Sequence, residues 1–77
     1  MQIDDLTQFI QLSIVGSDSP KIDKNSRLFE DGLIDSLSIL HLVGYIEKNL
    51  GRKLQDSELL FEYFSTPEMI VKRYGKA

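Results

Sequence analysis

One serine stands in a setting where its hydroxyl could do chemistry. Ser36 lies between Asp35 and Leu37, after a turn and at the predicted start of a helix. A serine nucleophile needs an adjacent base and an oxyanion site. His41 is the only histidine, and it lies about 140° around the predicted helix from Ser36, so the two side chains do not face each other. We therefore expect no catalytic residue in this chain.

Ser36 is better suited to carry a phosphate-linked group. A phosphodiester on its Oγ would lie beside the free N–H groups and the positive dipole end of the predicted helix, and it would point into solvent. The alternative is that Asp35 or Ser36 only caps this helix, as such residues commonly do. On the helical wheel alone, capping is the stronger interpretation.

The elements that would position this serine are helical. Apolar residues recur at helical spacing from Ile3 to Ile14, and Gly16 is a stop signal. Residues 17–35 form one long predicted loop, which needs anchors in the core. The expected anchors are Ile22, Leu28 and Phe29.

A second helix is predicted from Asp35 to Leu50, closed by Gly51. Its predicted core stripe follows the i, i+3, i+4, i+7 pattern and consists of Ile39, Leu42, Val43, Ile46 and Leu50. Leu37 and Leu40 fall outside this stripe, which leaves an apolar surface beside Ser36.

The chain after Gly51 is predicted to form two more helices. A short third helix starts near Ser57 and carries Leu60, Phe61 and Phe64, with the aromatic residues assigned to the core. Thr66-Pro67 starts the last helix, which is expected to turn Met69, Ile70 and Tyr74 inward. The predicted fold is an all-α, small four-helix bundle with a long loop between helices 1 and 2 and a short third helix, one domain over residues 1–77.

Composition excludes several classes of protein. The 77 residues contain no cysteine, which excludes disulfides, thiolate metal sites and a cysteine nucleophile, and we expect no metal site and a cytoplasmic location. A net charge of −3 argues against nucleic acid as a partner. No apolar run approaches the roughly 18–20 residues that span a bilayer, and the N-terminus lacks the basic region of a secretory signal. We expect a monomer that does not insert into membranes.

Residues 28–37, LFEDGLIDSL, resemble the attachment-site segment of the acyl and peptidyl carrier proteins. In that family an Asp-Ser-Leu triplet, here Asp35-Ser36-Leu37, opens the second helix after a leucine-rich turn with glycine. The end of the second helix, the short third helix and the Thr66-Pro67 start of the fourth continue the likeness. The resemblance covers essentially the whole chain.

The resemblance implies a non-catalytic carrier. A phosphopantetheinyl transferase would use coenzyme A to attach 4′-phosphopantetheine to Ser36. The thiol of that arm would hold an acyl or aminoacyl thioester, delivered by a loading enzyme and passed on to downstream acyl-processing enzymes. Asp35 would assist transferase and metal recognition, and Leu37 would dock into the transferase. The implied partner face comprises Asp35, Leu37, Leu40, His41, Gly44 and Glu47.

The pathway stays open at this point. Carriers of fatty acid synthesis have a strongly acidic second helix. The equivalent surface here consists of Ser38, His41, Gly44, Glu47 and Lys48, and its one acid, Glu47, is balanced by Lys48. A specialised pathway is therefore expected, in polyketide, nonribosomal peptide or aminoacyl metabolism. Residues 66–73 are similar to the last helix of D-alanyl carrier proteins. A different class of function, an unmodified helical adaptor docking through Leu37 and Leu40, is the remaining alternative.

Overall fold

The apolar residues between Ile3 and Ile14 lie in a helix that changes from α-helical to π-helical along its length. The computed structural model describes residues 1–75, in which α1 (Ile3–Phe9) continues directly into π-helical turns over Ile10–Val15. Leu6 and Ile10 are fully buried. The predicted stop is confirmed, because Gly16 follows the π-helical turns with a φ of 92°, a conformation that favours glycine.

The long loop is held at its first half by one glutamine. The Gln11 side chain accepts a hydrogen bond from the Ile22 N–H (2.7 Å) and donates one to the Gly16 carbonyl (2.9 Å). Ile22 and Leu28 are buried, which confirms them as anchors, while Phe29 is only half-buried. The loop is therefore ordered by specific contacts with the π-helical turns and the core.

The second half of the loop is held by the backbone of Leu28. Its N–H donates to the Ser65 carbonyl (2.9 Å), and its carbonyl accepts from the N–H groups of both Leu33 and Ile34 (2.9 Å each). Ile34 is buried, although the sequence analysis did not assign it to the core. These bonds close residues 28–34 on themselves and fix where the next helix begins.

Helix α2 (Ile39–Leu50) begins four residues later than predicted. Residues 36–38 form a turn that is spanned by a hydrogen bond from the Ile39 N–H to the Asp35 carbonyl (3.1 Å). The next two bonds follow the tighter i to i+3 pattern, from the Leu40 N–H to the Leu37 carbonyl (3.2 Å) and from the His41 N–H to the Ser38 carbonyl (3.1 Å). Gly51 ends α2 in the left-handed region with φ 73°, as predicted. In the predicted core stripe Leu42 and Ile46 are fully buried, and the other three residues are half-buried and pack against the core.

The predicted third helix is present only as two 3-10 segments, Asp56–Glu58 and Phe61–Phe64. Leu59 separates them with a non-helical backbone (φ −102°, ψ 60°). The structure therefore supports an all-helical fold, while the fourth α-helix of the predicted bundle is not confirmed. The assignment of Phe61 to the core is wrong, since 67% of its surface is exposed and only Phe64 is buried at this position.

Helix α3 (Pro67–Tyr74) starts where the sequence predicts. The Thr66 hydroxyl accepts a hydrogen bond from the Met69 N–H (3.1 Å), with proline at the first helical position. Ile70 and Tyr74 are buried, and the Tyr74 hydroxyl donates to the Glu58 carbonyl. Met69 was expected to point inward, but it is partly exposed.

One hydrophobic core joins the three α-helices and the loop of the described chain. No helix within residues 1–75 combines the length and apolar character needed to cross a bilayer. The buried apolar residues are Leu6, Ile10, Ile22, Leu28, Ile34, Leu42, Ile46, Leu54, Phe64, Ile70 and Tyr74.

We expect the inner and outer faces of α2 to respond differently to truncation. Ile46→Ala should lower the free energy of unfolding by about 2–5 kcal/mol, because it removes a fully buried side chain. Leu40→Ala should change it by less than about 0.5 kcal/mol, because Leu40 is exposed. Urea unfolding of both variants measures this, and equal losses would contradict the assignment of the two faces.

Candidate functional site

Ser36 lies in the turn that precedes α2, with its side chain exposed. Its hydroxyl makes no hydrogen bond with any of residues 1–75, so it does not cap the helix. Ile34, two residues earlier, is buried and anchors the segment. The serine oxygen is therefore accessible and is held on a fixed backbone.

The neighbouring Asp35 does the capping. Its carboxylate accepts hydrogen bonds from the N–H groups of Ser38 (2.8 Å) and Leu37 (3.1 Å). The Ser38 N–H, then the Ser38 hydroxyl and the Leu37 N–H, stabilise the charged form and lower the pKa of Asp35 below its usual value. The sequence analysis expected free N–H groups beside Ser36. This expectation is wrong for Leu37 and Ser38, because their N–H groups donate to Asp35.

An apolar surface flanks Ser36 on the outer side of α2, as the helical wheel predicts. Leu37 is 75% exposed and Leu40 is 66% exposed. His41 and Gly44 are exposed on the same helix. A Cβ added to Gly44 would meet no atom within 4 Å, so the long loop does not approach α2 there.

Glu47 differs from the other residues of the implied partner face. It is half-buried, and its carboxylate accepts a hydrogen bond from the Leu54 N–H (2.8 Å). Leu54 is itself a core residue, which the sequence analysis did not assign to the core. Glu47 thus stabilises the chain that follows α2.

Sequence analysis missed an exposed aromatic pair near the end of the long loop. The rings of Phe29 and Phe61 meet edge to face with centroids 5.1 Å apart. They form a groove of about 410 Å³ together with Glu30, Glu62 and Ser65. A repeated Phe-Glu dipeptide, at 29–30 and 61–62, was the signal in the sequence. A phenylalanine followed by a charged residue was insufficient to distinguish a groove from core packing.

Comparison with known proteins decides the family. The family described as "Phosphopantetheine attachment site" matches residues 6–74. The chain belongs to the phosphopantetheine-binding carrier proteins. A D-alanyl carrier protein of Enterococcus faecalis (strain V583) is 33% identical to this carrier protein over 73 residues, which cover 95% of the chain and 94% of the relative.

Further relatives agree with this result. Two D-alanyl carrier proteins of Listeria monocytogenes, from strains of serotypes 4a and 4b, are each 34% identical over 58 residues, covering 75% of this chain and 74% of theirs. No solved structure matches the chain significantly. The prosthetic group of this carrier protein is covalently attached 4′-phosphopantetheine. An exposed serine hydroxyl with no competing hydrogen bond among residues 1–75 fits the chemistry of such an attachment.

We expect Asp35 and Ser36 to differ sharply in their effect on stability. Asp35→Ala should lower the melting temperature at neutral pH, because two N–H groups lose their acceptor. Ser36→Ala should leave the melting temperature unchanged, because the hydroxyl makes no hydrogen bond within residues 1–75. Asp35→Asn, which keeps an acceptor oxygen, is the matched control.

The effect of Asp35→Ala should depend on pH. A carboxyl group whose pKa is lowered on folding stabilises the protein fully above its unfolded pKa and loses that effect as pH falls through the folded value. Thermal melts should therefore show the Asp35→Ala defect at neutral pH and little of it well below the usual aspartate value of 3.8. A defect of the same size at both pH values would rule out the charged cap.

Proposed function

We propose that Ser36 is the attachment site of the phosphopantetheine arm. The proposal rests on a difference between two adjacent residues. The Asp35 carboxylate accepts hydrogen bonds from the N–H groups of Leu37 and Ser38, whereas the Ser36 hydroxyl is exposed. Attachment joins the Ser36 oxygen to the phosphate of coenzyme A, releasing adenosine 3′,5′-bisphosphate, and the serine proton goes to a base of the transferase. The Asp35 carboxylate would help to hold a divalent cation, which would offset the negative charge of the phosphate during attachment.

We further propose that the cargo is D-alanine. The relatives named D-alanyl carrier proteins match 75% to 95% of this chain. An amino acid on the arm is joined to the thiol through its carboxyl group, and its amino group stays free. The protein then acts as a non-catalytic aminoacyl carrier, a specific member of the wider group that the sequence analysis favoured.

The implied partners are enzymes that approach the surface around Ser36. A phosphopantetheinyl transferase adds the arm, a loading enzyme activates D-alanine and transfers it to the thiol, and a downstream acyltransferase removes it. Activation of the D-alanine carboxylate needs a nucleoside triphosphate, and attachment of the arm needs coenzyme A. Both are cytoplasmic compounds, which supports a cytoplasmic location. Leu37 and Leu40 supply exposed apolar contacts for these enzymes.

Intact-mass measurement tests the attachment site. Incubation with coenzyme A and a transferase of broad specificity should add the mass of one phosphopantetheine to the wild-type protein and none to Ser36→Ala. Ser38→Ala is the matched control and should be modified, because Ser38 lies in the same turn. An unmodified wild type, under conditions that modify another carrier protein, would favour the adaptor alternative.

The cargo is tested on the modified protein. With the loading enzyme of the same organism and ATP, D-alanine should add one alanyl group that hydroxylamine removes, as expected for a thioester. L-alanine and short fatty acids should add little under the same conditions. Preferential loading of any acid that lacks an amino group would contradict the D-alanyl assignment while leaving the attachment site intact.

We expect partner docking to depend mainly on apolar contact. The face of α2 beside Ser36 carries little net charge, because Glu47 is the one acid of residues 39–50 and Lys48 balances it. The loading rate should therefore fall only modestly between low and physiological salt, whereas charge-steered association falls steeply.

A pair of leucine variants completes this test. Leu40→Ala should slow loading, and Leu12→Ala, which truncates an exposed leucine in the π-helical turns, should not. Initial loading rates at several salt concentrations provide both measurements. A steep salt dependence with no effect of Leu40→Ala would show that docking is electrostatic.

A further inference from the structure

The turn between Leu28 and Ile34 contains an aspartate followed by a glycine, Asp31-Gly32, which the proposed function does not use. Both residues are exposed, and a Cβ added to Gly32 would meet no atom within 4 Å. An aspartate side chain reacts most readily with the backbone of the next residue when that residue is glycine, because glycine has no Cβ to shield its nitrogen. The Asp31 Cγ and the Gly32 nitrogen are therefore the reactive pair of this turn.

The reaction of this pair needs no co-reactant other than water. The Gly32 nitrogen attacks the Asp31 Cγ, so that a C–N bond forms, the amide proton is lost and a carboxyl oxygen leaves as water. The product is a five-membered succinimide ring, to which water then adds. When water breaks the bond between the Gly32 nitrogen and the Asp31 main-chain carbonyl, the product is isoaspartate. The mass is unchanged, because one water leaves and one is added.

The folded turn restrains both reacting groups. The Gly32 N–H donates to the Phe29 carbonyl (3.1 Å), and the Asp31 N–H donates to the Arg27 carbonyl (3.0 Å). The Asp31 carboxylate lies 3.3 Å from the Arg27 guanidinium. Attack requires the Gly32 nitrogen to give up its hydrogen bond and the carboxylate to leave Arg27. The reaction therefore needs local opening of the turn, and its rate follows the population of the open form.

The product does not match the geometry that anchors the turn. In isoaspartate the backbone runs through Cβ and Cγ, which adds one atom, about 1.5 Å of chain, between Leu28 and Leu33. The Leu28 carbonyl accepts from the N–H groups of Leu33 and Ile34 at 2.9 Å each, so these bonds close a turn of fixed length. A longer chain displaces both N–H groups from the carbonyl. Ser36, two residues after Ile34, then loses the anchor that fixes its backbone.

We propose that Asp31-Gly32 is a site of spontaneous isomerisation to isoaspartate, that the closed turn restrains the reaction, and that the isoaspartyl form no longer holds Ser36 in place for attachment. Only the last part rests on the proposed function, which places the arm on Ser36. Each opening of the turn exposes the pair to reaction, so the modification accumulates with the age of the molecule.

Ageing of the full-length protein tests the site and the restraint. Wild-type protein is kept at neutral pH, in buffer and in urea that unfolds it, and isoaspartate at position 31 is quantified by peptide separation and by labelling with an isoaspartyl methyltransferase. The product should accumulate slowly in buffer and at least about tenfold faster in urea, because unfolding removes both restraints. Asp18-Ser19 is the internal reference and should react much more slowly in urea, because the serine Cβ hinders attack.

Two variants separate the chemistry from the restraint. Asp31→Glu keeps the charge but would need a six-membered ring, so it should form no isoaspartate at this position. Arg27→Gln removes the ion pair and should accelerate the reaction in buffer without changing it in urea. The melting temperature of Arg27→Gln should hardly change, because both side chains of this pair are well exposed.

The aged protein tests the consequence for the anchor. The isoaspartyl form, separated by chromatography, should show faster amide exchange at Leu33 and Ile34 than the unaged protein and should accept phosphopantetheine more slowly. Protected amides at these two residues, or an unchanged rate of attachment, would overturn the proposed effect on Ser36.

The remaining outcomes test the other parts of the proposal. Absence of isoaspartate at position 31 in the unfolded chain would overturn the site, and equal rates in buffer and urea would overturn the restraint. An unaged wild type that the transferase cannot modify would contradict the proposed function, whereas the isoaspartate and amide-exchange measurements would still decide the isomerisation.

Discussion

The position of Ser36, the proposed attachment site, depends on the backbone of Leu28. The Leu28 N–H donates to the Ser65 carbonyl, and the Leu28 carbonyl accepts from the N–H groups of Leu33 and Ile34. The Leu28 side chain is fully buried in the core. A long loop loses much conformational entropy on folding, so an ordered one needs several contacts that act together. Three backbone hydrogen bonds and one buried leucine at a single residue provide them.

The site next to this anchor divides two tasks between adjacent side chains. The Asp35 carboxylate accepts hydrogen bonds from two N–H groups of the turn, which stabilises the backbone. The Ser36 hydroxyl is therefore not needed as a cap. The turn over residues 36–38 then leads into α2, and Leu37 and Leu40 are exposed beside Ser36. Anchoring and capping are thus performed by different residues within a short stretch of chain, next to the exposed leucines proposed for docking, and substitutions can separate these roles.

Local rules were enough to predict the end of α2, the start of α3 and most of the core. Gly51 and Thr66 act through their own backbone or side chain, so their roles follow from residue type. Ile34 and Leu54 were missed as core residues because loop residues are buried by contacts distant in sequence and show no periodicity. For the same reason the role of Glu47 toward Leu54, the two 3-10 segments and the exposure of Phe61 required the structure.

Native-state hydrogen exchange tests the central role of the Leu28 anchor most directly. The amides of Leu28, Leu33 and Ile34 should exchange as slowly as those in the core of α2, such as Ile46, because all would open only when the whole domain unfolds. Amides in the first part of the loop, such as Asp18, should exchange fast and serve as the internal reference. Fast exchange at Leu28, Leu33 and Ile34 with slow exchange at Ile46 would show that the loop opens independently of the core. Ser36 would then not be held in place by this anchor.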